Sequence, residues 1–377
     1  MRITSFRNGR IVLADEEILG SLSLAGDTIA SIDAGAGAVG EDLQGDYLVA
    51  GLVELHTDQL ENYYRPRPGV FWDPLASLHA HDVQVAGSGI TTVFDAVRIG
   101  SDVDMPEMGQ HVEKLTAAIA GGRDGGWLRA EHFVHLRCEL PAHDVIAQFE
   151  AHAGAAHTRL ASVMDHTPGQ RQFASLEEYK RFYKDRLGRQ GDVEAYLAAR
   201  QAEHDRYAAP NRAHIVARAR ALGLPLASHD DTTLLHVEEA VEDGVAIAEF
   251  PTTLEAAAAA HDGGLSILMG APNVVRGRSH SGNVSATDLV RAGLLDILSS
   301  DYVPMALLQA AFLLPQKVEG LGLAAALAMV SANPARAAGL DDRGEIAPGR
   351  RADLVRVRVV DGLPVVRGVW RQGERVS

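Results

Sequence analysis

The stretch GLVELHTDQLENYY, Gly51 to Tyr64, carries an apolar run into an imidazole and two carboxylates, His56, Asp58 and Glu61. Taken alone, a His-x-Asp in that place reads as a surface turn. The same kind of ending recurs, however, in Arg137-Cys138-Glu139, Asp165-His166, His229-Asp230-Asp231 and Ser300-Asp301. Imidazole nitrogens and carboxylate oxygens suit a divalent ion such as zinc or manganese. On this reading His56 and Asp58 ligate from one strand end, Glu139 bridges two ions, and His166 and His229 hold the second. Asp301 ligates and accepts a proton from water, whose pKa a bound cation lowers from about 15.7 toward ~7.

Such residues converge only if the elements carrying them end at one place. Apolar strand, polar turn and amphipathic helix repeat through the middle of the chain. The strand candidates are Leu52–His56, Ile90–Asp95, His132–Glu139, Leu160–His166, Leu224–His229, Ala246–Pro251, Leu265–Gly270 and Leu294–Asp301. Helical patterns intervene over 73–86, 105–120, 176–187, 193–221, 233–243 and 305–319. Near-continuous apolar strands alternating with helices imply a parallel sheet with a covered outer face. Eight repeats fit an α/β fold of the (β/α)8 TIM-like barrel type, whose active sites lie at the C-terminal strand ends. No G-x-G-x-x-G opens the first helix, which argues against a doubly wound dinucleotide fold.

The two chain ends read differently. Alternating segments broken by Asn8-Gly9 and Gly26-Asp27, and again around Asp361-Gly362, predict short strands joined by tight turns. We expect the two ends to pair into one small sheet domain and the middle of the chain to form the barrel.

Several other histidines carry no such pattern. His79 and His81 fall inside a helical pattern and read as packing or surface residues. His132 and His135 face opposite sides of one strand. His143, His152, His157, His204 and His214 have no motif around them and are expected to be solvated.

The net charge of −15 argues against nucleic-acid or anionic-membrane partners. A single cysteine, Cys138, leaves no internal disulfide to form. The N-terminal MRITSFRNGRIVLADEE has no signal-peptide core, and no stretch approaches the ~20 apolar residues of a membrane span. A soluble, cytoplasmic protein is expected.

The strand-end His-x-Asp, the further histidines and the closing Asp resemble the amidohydrolase superfamily, and the stretch Asn333–Val357 is similar to its return into the small domain. That resemblance implies a metal-bearing catalytic (β/α)8 barrel over residues 51–340, a small β-sandwich domain built from residues 1–50 and 341–377, and one or two divalent ions, zinc first, with manganese or iron as alternatives. A homodimer is implied only at the level of the superfamily. The motifs ELHTDQLENYYRPRPGV, MDHTPGQRQF, SHDDTT, EFPTT, MGAPNVVRGRSHSGNVSA and SSDYVP look like one branch, the diphosphatases of the carbon–phosphorus lyase pathway. The branch implies hydrolysis of α-D-ribose 1-methylphosphonate 5-triphosphate to the 5-phosphate and diphosphate. Three positions depart from the wider superfamily. Asp58 stands where most members have His, Glu139 where many have a carboxylated lysine, and AEFPTT where a sixth-strand His is common.

A small polyphosphate substrate on an acidic protein needs a locally basic mouth. Arg171 in HTPGQRQ and Arg276 and Arg278 in NVVRGRSHSGN lie in loops after barrel strands, and guanidinium groups grip phosphate bidentately. Ser279, His280 and Ser281 between glycines add an N–H-rich loop able to wrap phosphates, and Arg65 and Arg67 follow the first strand. The rival reading on the same scaffold is a C–N hydrolase, a cyclic amidase or deacetylase, which leaves the loop arginines without a role.

Overall fold

Eight consecutive parallel strands build the centre of the protein. In this computed structural model, residues 5–35, 37–101, 109–171, 180, 192–277 and 283–377 are described. The strands are β6 (Leu52–Thr57), β7 (Ile90–Ile99), β8 (Glu131–Glu139), β9 (Thr158–Met164), β10 (Leu226–His229), β11 (Ile247–Glu249), β12 (Ser266–Gly270) and β13 (Ile297–Ser299). They pair in chain order, β6 beside β7 through to β12 beside β13, with a helix or helices between successive strands. Alternation along each strand sends Val53, Leu55, Phe94, Phe133, Leu160, Ala227, Ile247, Leu268 and Ile297 into one interior cluster. Their partners on the opposite faces, such as Val93 and Val134, join the larger core beneath the helices. The expected barrel is what forms.

Strand limits follow the sequence reading with one instructive difference. β7 runs on to Ile99, past the predicted Asp95, because Ala96 to Ile99 stay in register with His135 to Cys138 of β8. The charge on Arg98 hides that continuation from a hydrophobicity count. The helix Val193–Leu222 starts on an Asp192 cap, whose side chain accepts from the Ala195 N–H, and stops at Gly223 with φ +64°. Of the predicted helix 176–187, only residue 180 is described.

The chain ends meet in a second sheet. It takes β1 (Ser5–Val12), β2 (Glu17–Ala25), β3 (Thr28–Ala34), β4 (Glu41–Asp42) and β5 (Tyr47–Ala50) from one end. From the other come β14 (Leu354–Val360), β15 (Leu363–Arg371) and β16 (Glu374–Arg375). All eight belong to one continuous sheet, in which β5 pairs antiparallel with β14 and joins the two ends. Phe6 packs edge-on against Trp370, ring centres 4.8 Å apart, in a core of its own.

Two arginines fasten this sheet to the barrel. Arg343 and Arg351 each donate to Glu131 Oε2 at 2.6 Å, at the start of β8. At Gly51, between β5 and β6, a Cβ would lie 2.3 Å from Thr91 Oγ1, so only glycine lets the two units approach this closely. The two guanidinium charges hold the Glu131 carboxyl down, to about 2, in spite of its partial burial. Since this folded value lies below the ordinary one of 4.5, the stabilisation is complete above about pH 4.5 and fades as pH falls toward 2. Glu131→Gln is expected to cost about 1–3 kcal/mol at neutral pH, with the gap narrowing toward about pH 3 in urea melts. A gap that stays constant over that range would show that the ion pairs are not its source.

Candidate metal centre

The mouth of the barrel gathers residues from most of its strands because the chain breaks its own alternation there. Asp230, Phe250 and Asp301 each sit just past a strand end with left-handed backbone, at φ 57°, 55° and 56°. A left-handed residue lets two neighbours in sequence reach the same space, so His229 and Asp230 both join one cluster. For bulky Phe250 that conformation is strained. Its ring lies edge-on against His56 and His229, with centres at 5.1 and 5.3 Å.

His56, His166 and His229 are brought together as expected. The His56 and His229 rings stack with centres 5.6 Å apart, and His166 stands 5.5 Å from His229. Glu249, the last residue of β11, ties the first pair: its two oxygens meet His56 Nδ1 at 3.0 Å and His229 Nδ1 at 3.2 Å. The ligand atoms of His56, His229 and Glu249 lie within 4.8 Å of one another, as do those of His166, His229 and Asp230. Beneath them His135 is locked between the Leu55 carbonyl, at 2.9 Å, and Ser162 Oγ, at 3.0 Å.

Glu139 has many partners. Its oxygens meet His166 Nδ1 at 2.6 Å and Arg98 at 3.2 Å, with Arg200 at 3.7 Å, and the His166 N–H donates to it. Asp58 and Asp301 are joined through the backbone, where the Asp58 N–H donates to the Asp301 carbonyl. Glu54, completely buried, accepts from the His56 N–H at 2.7 Å and the Ser300 N–H at 2.6 Å.

The electrostatics of this group favour a cation. Burial pushes the carboxyls of Asp58, Asp230 and Asp301 up, the last two to about 7, and the Asp58 charge raises Asp301 further. Burial also pushes His135 down to about 4 and His229 to about 3, and lowers His56, so these rings stay neutral with lone pairs available. Asp58 Oδ1 is buried without a hydrogen-bond partner among the described residues. Neutral imidazoles beside crowded, protonation-prone carboxylates form a donor set that a divalent ion fits.

The arginines expected to grip phosphate are placed variously. Arg171 is buried and ion-paired to Asp231 and Glu239. Arg276 and Arg67 are exposed, and Arg65 lies over the Phe71 ring at 5.7 Å. Arg278, Ser279, His280 and Ser281 lie outside the described residues. His204, expected to be solvated, instead meets Asp165 Oδ2 at 2.6 Å, because the Val193–Leu222 helix packs beside the end of β9. His81 and His132 clasp Asp95 from two sides at 2.8 Å, a buried knot between the helix Pro74–Gly87 and the sheet.

Sequence reasoning missed Glu249, Asp230 and Glu54. Glu249 carries a signal, a carboxylate at a strand end, in the stretch AEFPTT where the family pattern leads one to expect a histidine. Asp230 lay in plain view beside His229. Glu54 stood in an apolar run, with nothing to distinguish it from an outward-facing polar residue.

A (β/α)8 barrel with a His- and carboxylate-lined mouth and a terminal sheet defines a class, and residues 83–376 match the amidohydrolase family. The chain belongs to that family. It is 44% identical over 373 residues to the alpha-D-ribose 1-methylphosphonate 5-triphosphate diphosphatase of Escherichia coli (strain K12), covering 98% of this chain and 99% of that protein. Solved structures agree in fold. An amidohydrolase from a Sargasso Sea environmental sample aligns with TM-score 0.66 at 16% identity, over 100% of this chain and 93% of that one. The 5-methylcytosine deaminase of Klebsiella pneumoniae aligns with TM-score 0.64 at 15% identity, over 99% and 98%.

Removing one carboxylate oxygen tests the site's new member. Glu249→Gln should weaken metal binding about 10- to 100-fold in a chelator competition. Unchanged affinity would remove Glu249 from the centre.

Proposed function

We propose that this protein hydrolyses α-D-ribose 1-methylphosphonate 5-triphosphate to the 5-phosphate and diphosphate. The observation that carries this reading is the 44% identity to a diphosphatase of that substrate along nearly the whole of both chains. The buried cluster at the barrel mouth supports it, since cleaving a phosphoanhydride calls for concentrated positive charge at the transferred group.

His56, Asp58, Glu139, His166, His229 and Asp301, with Glu249 and Asp230, would hold one or two divalent ions, zinc first, with manganese or iron as alternatives. When bound, such an ion supplies Lewis-acid polarisation and a more acidic water. The chain's own residues do the rest. Asp301, whose carboxyl burial raises to about 7, takes a proton from the attacking water. The hydrogen bonds from Glu249 fix the His56 and His229 rings, and Phe250 excludes solvent from one side of them. Arg171, Arg276, Arg278, Ser279, His280, Ser281, Arg65 and Arg67 remain candidates for outer phosphate contacts. The 1–50 and 341–377 segments act as a small domain bracing the 51–340 catalytic domain. Among the described residues no helix is long and apolar enough to cross a membrane, and we place the reaction in the cytoplasm, with a homodimer as the expected assembly.

Metal-depleted protein should be inactive on the phosphonate triphosphate and regain activity on adding zinc, manganese or iron. ATP and cyclic amides serve as competing substrates, and preferred turnover of an amide would replace this reading with C–N hydrolysis. Asp301→Asn should lower kcat by about 10²-fold or more while shifting KM little. Near-wild-type turnover in that variant would remove Asp301 from proton transfer.

A further inference from the structure

The inner face of β8 reads Phe133, His135, Arg137 and Glu139 from the barrel floor to its mouth, by simple alternation. Arg137 stands directly across the ladder from Arg98 of β7, and like charges so placed repel. Arg98 is compensated by Glu139 at 3.2 Å. Arg137 is not compensated in the same way. It is only 15% exposed, its closest carboxylate oxygen is Asp58 Oδ2 at 4.0 Å, outside hydrogen-bond reach, and its Nε is buried without a partner among the described residues. Arg171, Arg343 and Arg356, in contrast, each hold carboxylates at hydrogen-bond distance. Burying the Nε–H of a guanidinium without an acceptor is costly. The cost is recovered if an anionic ligand supplies the acceptors.

We infer that Arg137 is the anchor for a phosphoryl group of the substrate, seated on the floor of the site beside Asp58. This rests on the phosphoanhydride reading above and deepens it. The fork geometry matches two oxygens of one phosphoryl group. It also places the anion-binding contact on a barrel strand rather than in the outer loops.

The probe is inorganic diphosphate, titrated calorimetrically into metal-loaded wild type, Arg137→Gln and Arg137→Lys, and used as an inhibitor of hydrolysis. Arg137→Gln should raise its Kd and inhibition constant about ten- to hundredfold, with metal content retained and Tm not lowered. Arg137→Lys, which keeps the charge and loses the fork, should fall in between. Acetate, an anion without phosphoryl geometry, should not discriminate among the three. Equal diphosphate affinity in wild type and Arg137→Gln overturns the assignment. If Arg137→Gln does not fold, unchanged affinity in Arg137→Lys overturns it. Wild type that binds diphosphate through Arg137 but leaves the phosphonate triphosphate intact would instead overturn the proposed reaction.

Discussion

Closing an eight-stranded parallel sheet requires its first and last strands to meet, and here they share almost no ladder. β6 pairs with β7 and β13 with β12, while an isolated bridge, Thr57 to Asp301, spans the seam. The Glu54 carboxylate does what a ladder would do, taking the His56 N–H on one strand and the Ser300 N–H on the other. Burial pushes its carboxyl up to about 8, against two N–H donors that favour the ionised form. In so dry a place these bonds are strong and have no substitute in water. The Thr57 hydroxyl and the Asp58 N–H both donate to the Asp301 carbonyl, and the Asp301 N–H donates to the His56 carbonyl. The positions of His56, Asp58 and Asp301 are therefore consequences of how the barrel closes.

That dependence explains why the mouth tolerates so much buried acid. Asp58, Asp230 and Asp301 crowd a space in which burial penalises each charge, and Arg137 offsets only part of it. A fold held by apolar packing alone would relax and let water in. Here the backbone of the seam and the edge-on contacts of Phe250 fix the groups in place. Such a crowded set of carboxyls and neutral imidazoles is a donor set that suits a divalent cation.

Much of this was legible in the sequence. Strand-end histidines and carboxylates stand out against apolar runs, and a period of strand and helix announces a parallel barrel. The left-handed turns at Asp230, Phe250 and Asp301 were not legible, since nothing local marks a phenylalanine for that conformation. They are imposed by packing at the mouth, and they bring Asp230 into the cluster beside His229. Loop arginines attracted attention because exposed charge is easy to notice. Arg137 stands in one of the strand endings, yet whether it faces the mouth is undecided until the register of β7 and β8 is known. The partners of Arg171, Asp231 and Glu239, also come from elements distant in sequence, and no local pattern predicts that pairing.

The two halves of the mouth place different demands on a substrate. The seam side, with its neutral imidazoles and crowded carboxylates, calls for cations and is indifferent to what they polarise. The β7–β8 side presents Arg98 and Arg137 in register. An amide ring could use the first half, yet it would leave the Arg137 fork facing a neutral group and still buried. A phosphoanhydride satisfies both, because its oxygens can be shared between cations and guanidinium while charge moves onto the leaving diphosphate. On that argument a phosphoanhydride suits the Arg137 side of this mouth better than an amide does, whichever residues would hold a metal.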